Sequence, residues 1–82
     1  MRQSKLDKLL YRRSVLIEKI KAYERARKAL NELVNEFIGN TYALEALNAI
    51  DRNISNDIME MYLSLKTIDN KIKELQREEQ KK

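Results

Sequence analysis

Apolar side chains recur along the first half of this chain at alternating steps of three and four: Leu6, Leu9, Leu16, Ile20, Tyr23, Leu30, Val34 and Phe37. Arg13 and Arg27 stand in the two places that the rhythm skips. This is the a/d seam of a heptad repeat, the spacing that keeps one stripe of a helix facing a partner. After Gly39 the rhythm resumes through Leu44, Leu47, Ile54, Ile58, Met61, Leu65, Ile68, Ile72 and Leu75, with only Asp51 polar. Each half is long enough for a helix of roughly 50–60 Å at about 1.5 Å per residue. The pattern predicts an all-α fold, a long antiparallel helical hairpin of coiled-coil type, as one domain over residues 1–82. The first helix is expected at about 4–38, the turn at 39–41 and the second helix at about 41–79.

Gly39, the single glycine of the chain, has a physical reason to stand at the bend. A helix ends most easily where a residue just past its cap takes a left-handed conformation, which glycine adopts without steric penalty. The second helix is then expected to be capped by Thr41 and helped by Glu45 near the positive end of its dipole.

The two halves can be aligned independently of the turn. With a at 6, 13, 20, 27 and 34, and again at 44, 51, 58, 65 and 72, an antiparallel pair brings a of one helix to d of the other at a constant residue sum of 81. The layers are Leu6 with Leu75, Leu9 with Ile72, Leu16 with Leu65, Ile20 with Met61, Tyr23 with Ile58, Val34 with Leu47 and Phe37 with Leu44. Outside the seam, Leu33 falls beside Ile50 and Ile17 beside Tyr62. A sum of 81 centres the bend between Asn40 and Thr41, so register and turn agree. The segment Asp51–Asp57 collects residues that favour caps over helix interiors, and Asp57 with Glu60 has capping-box spacing. A break near 53–56, giving three helices, is therefore the alternative architecture.

Leu10, Val15, Ile17, Ile38, Met59, Tyr62 and Leu63 lie beside or outside the seam and widen the apolar face beyond what one partner helix covers. The expectation is a homodimer that forms a four-helix bundle.

Composition narrows the chemistry. The 82 residues contain no cysteine, histidine, tryptophan or proline. That removes disulfides, thiolate and imidazole metal sites, and histidine-based triads. One glycine cannot supply a P-loop or a dinucleotide-binding loop. No cofactor, metal site or catalytic set is expected, and an enzyme is not the expected class. No apolar run exceeds three residues, so no membrane span is expected and a soluble, cytoplasmic protein is.

The net charge of +4 is unevenly distributed: residues 1–28 carry ten Lys/Arg against three acidic residues, and residues 29–82 carry seven against ten. Lys5, Arg12 and Lys19 recur every seven residues along one flank, with Lys8 and Arg13 adjacent. At a residue sum near 81, Lys5 meets Glu78 but Arg12 meets Lys71. That leaves a like-charge spot able to hold a phosphate or an acidic partner. Lys5, Lys8, Arg12, Arg13, Lys19 and Lys71 are thus the candidate partner- or anion-binding residues. Tyr11 is a weak addition for base stacking, since consecutive helical residues diverge by about 100°. Arg13, Arg27 and Asp51 form a polar seam, expected to be held by ion pairs of Arg27 with Asp51 and Arg13 with Asp69. In the other reading, the arginines bind an anionic ligand inside a bundle. The tail from Gln76 to Lys82 has the composition of a solvated helix end. The function expected from these features is a non-enzymatic protein–protein interaction or regulatory module acting as a helical dimer. The alternative is nucleic-acid binding through the basic half of the first helix.

Overall fold

A computed structural model describes residues 4–80 of the chain; Lys81 and Lys82 of the tail lie outside the described residues. Two helices account for nearly all of it, α1 over Lys5–Glu36 and α2 over Thr41–Gln80. They pack side by side as an antiparallel hairpin. The Cα radius of gyration is 18.7 Å, against about 12 Å for a compact chain of this length. The hairpin is a rod two helices thick.

Ser4 starts α1 in an extended conformation, and its hydroxyl accepts a 3.0 Å hydrogen bond from the Asp7 N–H. The Asp7 carboxylate sits in the first turn, where the helix dipole favours negative charge. The helix ends at Glu36, two residues before the expected limit, with Phe37 as its cap. Phe37 through Asn40 form a turn closed by a 3.0 Å hydrogen bond from the Asn40 N–H to the Phe37 carbonyl. Gly39, at φ +95°, is the third residue of that turn, the place where a type II turn requires positive φ.

The cap of α2 corrects the expectation for Thr41. Asn40 Oδ1 accepts from the Ala43 N–H at 3.1 Å, and the Asn40 carbonyl accepts the first helical bond, from Leu44 N, at 3.0 Å. Thr41 is already the first helical residue. Asn is at least as good a cap as Thr and tolerates the turn conformations that lead into it. Glu45 falls beyond the first turn, which carries no acidic residue, so the expected dipole contact does not form.

The three-helix alternative is also corrected, because α2 runs unbroken through 51–57. The cap-favouring residues do not cap there. Asp51 pairs with Arg27, while Arg52, Asn53, Asn56 and Asp57 point to solvent. Ser55 Oγ is buried with no hydrogen-bond partner among the described residues. Ile54 and Ile58 keep the heptad phase across the segment, and no proline interrupts it.

Burial follows the seam. Among the described residues, the buried hydrophobic side chains are Ile20, Leu47, Ile58 and Ile72, all at a or d positions. The remaining seam residues are half-buried, except that Arg27 and Phe37 are exposed.

Candidate functional site

The two sides of the hairpin differ. On one side, heptad position e of α1 meets e of α2, and side chains bridge the helices. Arg13 Nε donates to Asp69 Oδ1 at 2.7 Å, and Tyr62 Oη donates to Glu24 Oε1 at 3.3 Å. Nearer the bend, Arg27 Nε lies 3.1 Å from Asp51 Oδ1. Partial burial pushes the Tyr62 phenol up from its ordinary range. The Glu24 carboxylate adds to this, both by its charge and by accepting the phenolic proton in a hydrogen bond.

On the opposite side, g of α1 meets g of α2, and among the described residues no interhelical hydrogen bond or ion pair closes the gap. A shallow groove runs there instead. Near the open end of the hairpin, Lys5, Lys8, Arg12 and Lys71 line it with Glu74 and Glu78, over a floor of Leu9 and Leu75. Further along, Tyr11, Arg12, Val15 and Lys19 face Ser64 over Leu16 and Ile68. Next, Lys19 faces Asp57, Glu60 and Ser64 over Tyr23 and Met61. The floor groups Leu9 with Leu75, Leu16 with Ile68 and Tyr23 with Met61, within about one turn of the layers expected from a residue sum of 81.

Five of the six candidate basic residues therefore share one groove. Arg13 does not join them, because it reaches across the e side to Asp69. Lys5 and Glu78 line the same stretch without closing to an ion pair, and Arg12 and Lys71 share it as a like-charge spot. The sequence pattern marked Asp57 and Glu60 only as a capping-box pair and passed over Glu74, so the acidic wall of α2 was not anticipated. Their signal was present in heptad phase: Asp57 is at g, and Glu60 and Glu74 are at c, the flank that turns toward the g groove. The groove is thus dipolar. Lys5, Lys8, Arg12 and Lys19 make one wall, and Asp57, Glu60, Glu74 and Glu78, with only Lys71 opposing them, make the other.

Both groove walls are exposed side chains above an apolar floor. Among the described residues, no group of three or more acidic side chains is placed to hold a metal ion, and no helix is long and apolar enough to cross a membrane. No protein-family model, curated protein sequence or solved structure matches this chain.

Proposed function

We propose that the hairpin is a non-enzymatic protein–protein interaction or regulatory module that works as a helical dimer. The observation that carries this reading is surface area. The chain exposes 7038 Å² for a mass of 9.8 kDa, whereas a folded monomer of that mass exposes about 5,200 Å². The excess, roughly 1,800 Å², is about twice what one partner contributes to a standard interface. Much of the surplus is apolar: Tyr11, Ile38, Tyr42, Met59 and Leu63 are each more than 60% exposed, and Leu10, Val15, Ile50 and Tyr62 are close to half exposed. Isolated apolar side chains at a surface are ordinary, but among the described residues four hydrophobic side chains are buried and eleven large ones are exposed, so much of the apolar surface lies outside the seam.

Nucleic-acid binding through the basic half of α1 is the second reading, favoured by the cluster of Lys5, Lys8, Arg12 and Lys71. Opposing it are Glu74 and Glu78 in the same stretch and Asp57 and Glu60 further along, which would repel a phosphate backbone following the groove. A thermal melt over a hundredfold range of protein concentration tests the preferred reading. For a dimer the midpoint rises with concentration; a fixed midpoint contradicts it.

A further inference from the structure

From the dipolar groove we infer that the second copy docks on the g side of the hairpin, with its α2 against this α1 and its α1 against this α2. This rests on the dimer reading above and adds its face and orientation. The e side is bridged by Arg13–Asp69 and Tyr62–Glu24 and keeps one recess, at Glu24, Arg27, Lys28 and Asn31 over Ile58, whereas on the g side a trough runs on from Lys5 to Tyr23 with charged walls of opposite sign.

Its two walls carry opposite charge, and a twofold axis along the length of the rod lays each wall against its opposite. Such an axis preserves height, so the pairing follows the residue sum near 81. Lys5 then faces Glu78 of the second copy, Lys8 faces Glu74, and Lys19 faces Asp57 and Glu60. Every helix has an antiparallel neighbour, as in an up-down four-helix bundle. Arg12 with Lys71 is the one mismatch, and both side chains are long enough to swing their charges outward.

The half of the same face nearest the turn supports the choice. There the c and g positions are Ala22, Ala26, Ala29, Leu33 and Glu36 on α1, and Ala43, Ala46, Ile50 and Asn53 on α2; Glu36, in the last turn of α1, is the one charged residue among them, and all but Ala43 are exposed. Small side chains let a second helix pair approach toward the lower end of the usual 8–10 Å spacing. A twofold axis across the rod would instead set each basic stretch against the partner's alanines, leaving the charge pattern without use.

The test is a charge swap. One variant carries Lys8→Glu and Lys19→Glu; the other carries Glu60→Lys and Glu74→Lys. All four positions are exposed, so helicity should be unchanged by circular dichroism. Self-association measured by sedimentation is expected to weaken roughly a hundredfold in each variant alone, because like charges then face each other. An equimolar mixture restores a heterodimer to within about tenfold of the wild type. If either variant loses helicity, the corresponding glutamine substitutions replace it, with smaller losses expected.

Variants that each dimerise as tightly as the wild type would overturn the face while leaving the dimer reading intact. Two monomeric variants whose mixture stays monomeric would overturn the orientation. A wild-type chain that is monomeric at every concentration removes the dimer reading and this inference together. Duplex DNA binding by that monomer, strengthened by the lysine substitutions and abolished by the glutamates, would assign the groove to nucleic acid instead.

Discussion

Arg27 and Asp51 meet across the hairpin with Nε and Oδ1 3.1 Å apart, although Asp51 lies one helical turn nearer the bend than Ile54, the position facing Arg27 in the seam. The guanidinium leans along the rod to reach its partner, which leaves it 45% exposed and the carboxylate 29% exposed. A pair this wet contributes modestly. Arg27→Ala and Asp51→Ala should each destabilise, and the double variant should recover about 0.5 kcal/mol of their sum in a double-mutant cycle by urea denaturation. Strict additivity would mean that the pair is incidental. Replacing both by leucine should raise the midpoint, since a well-packed apolar pair usually outperforms a partly buried ionic one.

The turn separates two capping residues that stand side by side in sequence. Asn40→Ala removes the acceptor for the Ala43 N–H and should cost about 1 kcal/mol. Thr41→Ala, at an exposed first helical position, should stay within about 0.5 kcal/mol. The reverse order of effects would return the cap to Thr41.

At Gly39 the space around an added Cβ is open, with nothing within 4 Å, so any penalty comes from φ +95° alone. Gly39→Val should therefore destabilise by about 1–2 kcal/mol, and Gly39→Asn by clearly less. Equal chemical-denaturation midpoints for the two variants would contradict a left-handed residue there.

The contrast between these turn residues shows where the sequence was legible. The seam was readable because Ile20, Leu47, Ile58 and Ile72 recur at a period that only a helix satisfies, and the antiparallel alignment then fixed which charges meet: Arg13 with Asp69 and Arg27 with Asp51. The exact cap was not, since Asn40 and Thr41 are both capping residues and only the path of the turn decides between them. The continuity of α2 through Asp51–Asp57 was legible in the heptad phase, which runs unshifted there, although local propensity pulls against it. The basic wall was visible as a repeat of seven in Lys5, Arg12 and Lys19. The acidic wall was present only as heptad phase, with Asp57 and Glu78 at g and Glu60 and Glu74 at c, and no unbroken repeat of seven marked it.

Tyr62 gives the hairpin a pH dependence on the alkaline side. Its phenol titrates above the ordinary value of about 10 when folded, by partial burial and by the Glu24 carboxylate. The folded chain thus holds that proton more tightly than the unfolded one. The Tyr62 contribution is complete below the unfolded pKa and is lost as pH rises from about 10 through the folded value. Spectrophotometric titration should show a late phenol that Tyr62→Phe removes, and that substitution should flatten the alkaline fall in stability. A late phenol that survives Tyr62→Phe would contradict the Tyr62–Glu24 pairing.

In the proposed dimer the hairpin is half of a four-helix fold. Light scattering on the eluting chromatographic peak, over a range of loading concentrations, measures this most directly. A species of twice the 9.8 kDa chain mass that dissociates on dilution is expected. A helical species holding the mass of a single chain at every concentration would contradict it.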